Sequence, residues 1–568
     1  MKAKKRILIL GAGFMQGRAI RAAQKKGWHV TAVDGNPEAC CASLADRFQP
    51  IDLKEKERIA EFALRLQADE GLDGVFTCAT DFSLSVAWVA ARCGLPSHSV
   101  DAARAASNKA EMRRRFAAAG VPSPLFAVIP PDKHPDALDV LRAAGVDFPV
   151  VLKPVDNMGA RGCCKVSSAP EFLLRLPLSA AFSRTGTVIA EEYMEGPEFS
   201  LEALVFDGSF HETGFADRHI FFPPYFIEMG HTIPSAVSGT DRDRLLAVFR
   251  DGVRALGLDY GAVKGDIKLT PRGPMVGEIA GRLSGGYMSG WTFPYSSGID
   301  LTSAALDLCA GIRPDPASLL PVSRAVSAER AWISVPGTVR SVSGLDAARR
   351  VPFVRDVFPL KQAGDAAVFP RSNVEKCGNC IAAVPQEDAS AGSYRDARQR
   401  AVSAAEEACR AVVLRLAPHH AGTEAFLFRF TPQLRETPSG GRNGTGLPEE
   451  PFPPPCFAVP FREAQGGDFP PLFASGWKTG ELPLSGGACT QQVEYPAALP
   501  LFSPEYSDWQ GRTMAAALSR AVEEEPALAG ALRSAANHGT LTAMKYWTAF
   551  VRGGIQGLLY VFDVSGSR

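Results

Sequence analysis

The most constraining feature of this sequence is the alternation of apolar runs and helical patterns over residues 5–100. The apolar run Arg6–Leu10 is followed by a helical pattern over Phe14–Lys26, and a second apolar run covers His29–Val33. Further along, a third run covers Gly74–Thr77. Short apolar strands separated by helices are typical of βαβ units, whose strands lie parallel in one sheet. The sequence therefore predicts an α/β region built on a parallel sheet.

Glycines mark the end of the first predicted strand. Gly11, Gly13 and Gly17 lie between this strand and the first helix, and Asp34 closes the next strand. One interpretation is a dinucleotide site, in which the glycines approach a pyrophosphate and the acid binds a ribose. The other is a tight turn in a Rossmann-like sheet that binds no cofactor. The GxGxxxG spacing lacks the full fingerprint and favours the turn.

Composition excludes several classes of function. The 568 residues carry 61 basic and 61 acidic side chains, so a surface devoted to nucleic acid or to an anionic membrane is not expected. No apolar stretch approaches the length of about 18 residues that a membrane span requires. The 12 cysteines are too sparse for a disulfide scaffold. We expect a cytoplasmic protein with small-molecule partners, no nucleic-acid or membrane partner, and possible homo-oligomers.

The pattern changes to antiparallel strands over residues 124–310, which predicts an α+β region. Lys153 ends an apolar strand, and a glycine-bearing loop over residues 156–162 follows it. A lysine and a loop with free backbone N–H groups are suited to phosphates. The segment 188–200 contains backbone that could read an adenine edge and carboxylates that could hold a ribose. Asp266 and Glu278 lie on neighbouring predicted strands, where two facing carboxylates could hold Mg²⁺ against a triphosphate.

In this order, the motifs resemble those of the ATP-grasp superfamily over residues 5–417. The segments 191–200 and 278–286 are most similar to the carboxylate–amine ligase branch, which includes L-amino acid ligases and resembles biotin carboxylase. The resemblance implies three regions: a Rossmann-like domain that precedes the ATP-grasp domain (1–106), the ATP-grasp domain (107–324) and a lid-like C-terminal ligase subdomain (325–417). The Gly- and Pro-rich composition that follows predicts a linker or mobile loop (418–455) before a C-terminal appendage of unknown role (456–568).

The resemblance also assigns roles to individual residues. Lys109 and Lys153 would contact ATP phosphates, and a loop with Gly159, Arg161 and Gly162 would close over them. The adenine and ribose would be lined by Glu191, Glu192, Tyr193, Met194 and Glu198.

The reacting groups and the metal are assigned in the same way. Asp266 and Glu278 would bind Mg²⁺ or Mn²⁺, and Arg282 would steady an acyl phosphate. Glu228 would hold a substrate ammonium group, and His231 would lie near the reacting acyl group. Many family members have Asn where this chain has Ala280, which leaves the number of metal ions open.

The implied function is ATP- and Mg-dependent ligation of a small carboxylate, such as an amino acid, to an amine through an acyl phosphate. The alternative is a non-catalytic ATP-binding regulatory or assembly protein with the same fold. The joint presence of Lys153, Asp266, Glu278 and Arg282 favours the enzyme, because a degenerate binder has little reason to retain all four.

Overall fold

A computed structural model describes residues 4–221, 224–334, 337–368, 370–416, 477–483 and 490–496. The chain divides into two compact units. The first comprises residues 1–220, 230–329 and 383–398, and the second comprises residues 221–229, 330–382 and 399–568. In the described residues, no helix has the length and apolar character of a membrane span.

The first unit begins with the predicted parallel sheet. Its four strands have the order β3-β2-β1-β4 and are all parallel. Apolar residues alternate between the two faces of β1, so that each face packs against helices. The elements are β1 (Arg6–Leu10), α1 (Phe14–Lys25), β2 (His29–Asp34), β3 (Arg47–Pro50), α2 (Lys56–Glu70), β4 (Gly74–Phe76), α3 (Ser83–Cys93) and α4 (Val100–Ala106).

The glycines after β1 have structural explanations. Gly11 has φ +106°, a backbone conformation that favours glycine. A Cβ on Gly17 would lie 2.6 Å from Cys41 Sγ. The Asp34 carboxylate accepts a hydrogen bond from the Ala12 N–H at 2.9 Å, so this acid stabilises the turn itself. These contacts favour the tight-turn interpretation.

A small antiparallel sheet follows, with strand order β5-β8-β6-β7. The helix α5 begins at Lys109, where the Asn108 side chain caps it by accepting the Glu111 N–H. The elements are α5 (Lys109–Ala119), β5 (Phe126–Ile129), α6 (Ala137–Ala143), β6 (Val150–Pro154), β7 (Cys164–Val166), α7 (Ala169–Ala180) and β8 (Val188–Glu192).

The larger sheet of this unit contains the strands β9 (Glu198–Phe206), β10 (Ser209–Phe221), β11 (Ile227–Ile233), β12 (Gly261–Thr270) and β13 (Gly273–Ala280), with the helix α8 (Gly239–Leu256) between β11 and β12. Along β9, Phe199 and Leu201 pack with Phe249 of α8 in one core cluster. Because side chains alternate along a strand, Glu198 and Ser200 are on the opposite face. This alternation places the polar residues of β9 together on one side of the sheet. The unit continues with α9 (Phe293–Ser297), α10 (Leu301–Cys309) and part of β14 (Ala325–Trp332).

The second unit has its own core, in which Trp332 and Cys377 are buried. Gly378 packs so closely on Trp332 that a Cβ would lie 1.9 Å from the indole ring. The sequence pattern extends a helix from Tyr394 to Leu416, but the helix ends at Ala411 because the following residues pair with β15 as a strand. The remaining elements of the chain are β15 (Gly337–Ser343), α11 (Leu345–Arg350), β16 (Val354–Pro359), β17 (Ala366–Ala367), β18 (Gly378–Pro385), α12 (Ala391–Ala411), β19 (Val413–Leu416), β20 (Trp477–Pro483) and β21 (Thr490–Pro496).

The predicted linker and appendage are described only in part. The strands β20 and β21 form an antiparallel pair. The linker over 418–455, and the appendage over 456–568 apart from these two strands, lie outside the described residues. The domain boundaries drawn from the sequence stay predictions.

Candidate functional site

Asp266 and Glu278 lie directly opposite each other on the antiparallel strands β12 and β13. Asp266 is buried and accepts a hydrogen bond from the Ser200 hydroxyl at 3.1 Å. The Glu278 side chain is 39% exposed. Within the described residues, no three His, Cys, Asp or Glu side chains form a metal-binding group. The two predicted metal ligands are therefore together, and they could supply only part of a coordination shell.

Three lysines surround Glu278. Lys109, at the start of α5, donates to Glu278 Oε1 at 3.2 Å and to the Asn157 carbonyl at 2.9 Å. The partial burial of Glu278 would by itself raise the pKa of this carboxyl, but the positive charges of Lys109 and Lys264 together outweigh it. With a smaller effect from Lys153, they lower this pKa to about 2. Glu278 is consequently ionised at neutral pH.

Glu191 is the centre of a buried ion triad. Lys153 donates to Glu191 Oε2 at 2.6 Å, and Arg113 Nε lies 2.7 Å from Glu191 Oε1. Burial alone would raise the pKa of Glu191, but the two cations outweigh it and lower the pKa. Arg113 also donates to the Gly277 carbonyl at 2.6 Å, beside Glu278. The triad thus connects the Lys153 ammonium to the strand that carries the metal-ligand candidate.

Arg218 bridges two carboxylates on the polar face of the larger sheet. Its Nη1 lies 2.6 Å from Glu198 Oε1 and 2.7 Å from Asp266 Oδ2. Lys268 lies 3.7 Å from Glu198 Oε2 and donates to the Met194 carbonyl at 3.2 Å. The ribose-binding candidate and the metal-ligand candidate are therefore joined through one guanidinium group.

The segment after β8 carries the remaining nucleotide-binding candidates. Glu192 forms an ion pair with Arg272. Lys165 Nζ lies 3.7 Å from the ring centroid of Tyr193, and burial raises the pKa of this tyrosine. Met194 is 9% exposed. These three side chains follow one another where the chain passes from the small sheet to the larger one.

The loop between β6 and β7 contains three residues with positive φ. Gly159, Ala160 and Gly162 have φ of 65°, 59° and 72°. Arg161, between them, is half-buried. Successive backbone N–H groups in such conformations can form a concave anion-binding surface. The backbone is thus suited to the phosphate-covering role that the resemblance implies.

Arg282 follows β13 and is fixed by Asp81, from the loop after β4. Arg282 Nε donates to Asp81 Oδ1 at 2.6 Å, and Nη1 donates to the Leu283 carbonyl at 3.0 Å. Burial opposes the charge of Arg282, but Asp81 outweighs it and raises the pKa of the guanidinium. The guanidinium is therefore held in one orientation.

The two predicted substrate-facing residues have different surroundings. His231 is buried, with Nε2 at 2.6 Å from Thr292 Oγ1 and Nδ1 at 3.3 Å from Glu329 Oε2. Glu228 belongs to the second unit, where its backbone N–H donates to Asn373. The contacts of both ring nitrogens fix the orientation of the His231 imidazole. The substrate-binding roles predicted for His231 and Glu228 stay predictions.

The ion pairs of Glu191, Glu198, Asp266 and Glu278 define a charged cluster within the first unit. Its six cations outnumber its four carboxylates, which leaves an excess of two positive charges. The members are Lys109, Arg113, Lys153, Arg218, Lys264 and Lys268, with Glu191, Glu198, Asp266 and Glu278.

Sequence reasoning missed Arg113, Arg218, Lys264 and Asp81. Arg113 is the most informative case, because a charged residue on the apolar face of a helix is a signal for a buried partner. The partner itself, 78 positions away at Glu191, has no local signature. Pairing across the sheet reveals these residues only once the register is known.

Comparisons with known proteins identify two segments of the chain that match family models. Residues 146–290 match the family model of the ATP-grasp domain, and residues 331–417 match that of the L-amino acid ligase C-terminal domain 2. Carnosine synthase 1 of Gallus gallus is 28% identical over 368 residues, which cover 60% of this chain and 40% of the relative. Alanine–anticapsin ligase of Bacillus subtilis is 26% identical over 304 residues, covering 47% of this chain and 62% of the relative.

Solved structures share the fold. The L-amino acid ligase from Bacillus licheniformis is similar with a TM-score of 0.58 at 19% identity, covering 70% of this chain and 98% of that structure. A carboxyaminoimidazole ribonucleotide synthase from Aspergillus clavatus, complexed with ATP, gives 0.56 at 15% identity, covering 72% and 100%. This chain spans 40% of the length of the avian carnosine synthase it matches. The predicted fold class and the predicted resemblance are confirmed, because residues 146–290 match the ATP-grasp domain and residues 331–417 match a C-terminal domain of L-amino acid ligases.

Proposed function

We propose that this protein is an ATP-dependent carboxylate–amine ligase that acts through an acyl phosphate on an amino acid or a similar small carboxylate. The observation that carries the proposal is the charged cluster, whose positive excess surrounds two facing carboxylates. Such a surface attracts a polyphosphate while retaining acidic ligands for a divalent cation.

The nucleotide would lie between the small sheet and the polar face of the larger one. Lys109 and Lys153 would contact its phosphates, and the loop around Arg161 would cover them. The segment Glu192–Met194 would line the adenine, and Glu198 would hold the ribose. Glu191 is assigned a positioning role, because its carboxylate is occupied by Arg113 and Lys153.

The metal-ligand candidates fit Mg²⁺. Mg²⁺ is usually bound by one or two carboxylates, and its remaining ligands are water and substrate phosphates. Asp266 and Glu278 provide two such carboxylates on neighbouring strands. When bound, the ion neutralises charge on the transferring phosphoryl group.

The proposed reaction has two steps. A carboxylate oxygen of the substrate attacks the γ-phosphorus, the bond to the bridging oxygen breaks, and ADP leaves. An amine nitrogen then attacks the acyl carbon, the C–O bond breaks, inorganic phosphate leaves, and the nitrogen loses a proton. Arg282, held by Asp81, would stabilise the negative charge of the acyl phosphate. His231 would contact the substrate, as predicted from the sequence.

The names of the relatives support the substrate class. Alanine–anticapsin ligase and dapdiamide A synthase, from Enterobacter agglomerans, are both similar to this chain at 26% identity. The first name specifies an amino acid as a ligation substrate. We therefore propose amino acids as the first compounds to test as the acid.

The test is phosphate release from Mg-ATP across pairs of amino acids, with hydroxylamine added to trap an acyl phosphate as a hydroxamate. Asp266→Asn should abolish turnover, whereas Asp101→Asn, at a side chain 60% exposed on the surface, should leave it unchanged. Formation of AMP in place of ADP would refute the acyl phosphate. ATP binding without turnover for every pair would favour the non-catalytic alternative.

A further inference from the structure

Four residues form a rectangle on one face of the β12–β13 pair. Lys264 lies directly opposite Ala280, and Asp266 lies directly opposite Glu278. Residues two apart on a strand share a face, so Lys264 is a diagonal neighbour of Glu278. Such neighbours are about 7–8 Å apart at the backbone, within reach of a long side chain.

The Lys264 ammonium group occupies this rectangle. Its Nζ forms an ion pair with Asp266 Oδ2, and its side chain is only 14% exposed. Ala280 carries only a methyl group, so no side chain from the opposite position competes with the lysine for this space or adds an oxygen ligand.

The charge of Lys264 bears on how many metal ions the site can bind. A cation paired with Asp266 repels a divalent ion that approaches this carboxylate, and it does so more strongly in a partly buried site than in water. Because Ala280 carries a methyl group, the side chains of this rectangle provide no oxygen ligand for a second ion beyond the two carboxylates.

We propose that Lys264 acts as an internal cation between the two carboxylates, so that the site binds its nucleotide with one divalent ion instead of two. The inference rests on the proposed function, because it requires that the chain binds a nucleotide. Lys264 is a positioning residue in this arrangement, and it acts through Asp266 and Glu278.

The experiment counts Mn²⁺ ions bound to the full chain in the presence of β,γ-methylene-ATP, by electron paramagnetic resonance of the free ion. We expect one Mn²⁺ per chain for the wild type and for Lys264→Arg, which retains the charge. In Lys264→Met, the second ion should bind at least about tenfold more tightly than in the wild type. In Lys264→Met/Ala280→Asn, which adds an oxygen ligand, two ions should bind.

Lys268→Met is the matched control, because it removes one charge from the same strand without entering the rectangle. It should still bind one ion. Two ions in the wild type, or an equal gain in Lys268→Met and Lys264→Met, would overturn the role of Lys264. Failure of the wild type to bind β,γ-methylene-ATP, measured by calorimetry, would instead refute the proposed function and this inference with it.

Discussion

The buried ion triad gives the sharpest prediction for stability. Arg113 is 1% exposed, and its Nε lies 2.7 Å from Glu191. Removing one partner of a buried ion pair costs about 3–5 kcal/mol, because the other charge stays buried. Lys153 still donates to Glu191 at 2.6 Å, so we expect Arg113→Met to cost about 3 kcal/mol, the lower end of this range.

The assay is thermal unfolding of the full chain. For a region of roughly 200 residues, 1 kcal/mol shifts Tm by about 2–4 °C, so Arg113→Met should lower Tm by about 6–12 °C. Arg114→Met is the matched control, because this neighbouring side chain is 59% exposed. Its Tm should change by less than about 2 °C. Arg113→Met/Glu191→Gln should recover much of the loss, since the buried charge is gone.

The loss should also depend on pH. Despite the burial of Glu191, Arg113 and Lys153 together lower the pKa of this carboxyl below its ordinary value of 4.5, and Arg113→Met removes one of these two cations. A carboxyl whose pKa is lower in the folded state stabilises the protein above its unfolded pKa, and this contribution is lost as pH falls through the folded pKa. The variant should retain less of this contribution, so the Tm difference between the wild type and Arg113→Met should narrow as pH falls below about 4.5. A difference independent of pH, or a Tm equal to that of Arg114→Met, would refute this reasoning.

Four further predictions concern the site and the chain boundary. Glu278→Gln should lower ATP turnover at least about a hundredfold in steady-state kinetics, and it should lower nucleotide affinity less in calorimetry. Equal losses of turnover and affinity would argue against a role of Glu278 in the transition state. Asp81→Asn should lower turnover about a hundredfold by releasing Arg282, with unchanged nucleotide affinity as the control measurement. Gly162→Ala should lower the free energy of unfolding in urea by at least about 1 kcal/mol, because Gly162 has φ +72° and a Cβ would lie 2.8 Å from Phe182. Unchanged stability would contradict this backbone conformation at Gly162. Truncation after residue 416 should leave nucleotide binding intact in calorimetry, and a folded but non-binding product would show that the appendage belongs to the site.

Several strands of the first unit, such as β9, β12 and β13, could be predicted from sequence because turn residues mark their ends, whereas β3, β5 and β11 were not predicted. The Asp207-Gly208 turn joins β9 and β10, and Gly273 begins β13. The helix α2 was not predicted, although Ile59, Phe62 and Leu66 give it an apolar face. The end of α12 was misplaced because Val413–Leu416 continues an apolar pattern that suits either a helix or a strand, and only pairing with β15 decides between them.

The candidate site could be predicted where a residue belongs to a local motif, as Lys153 does at the end of an apolar strand. Its partners could not, because they depend on strand register. In the sequence, Lys264 is an ordinary charged residue on a predicted strand. The role proposed for it depends on its position opposite Ala280, which only the strand register reveals. Likewise, Arg218 acquires its role only by pairing with Glu198 across the β9–β10 hairpin.

The contact between Asp81 and Arg282 joins positions 201 residues apart and brings the first sheet into the site. A single bridge between Cys78 and Leu283 reinforces the same junction. The segment that matches the ATP-grasp model begins at residue 146, so it contains Arg282 but not the acid that orients it. The matched segment is therefore not an autonomous module, because the orientation of Arg282 depends on a residue outside it. A chimera that receives this segment from a relative would also need a compatible residue at position 81. Residues 81 and 282 should therefore change together among related sequences.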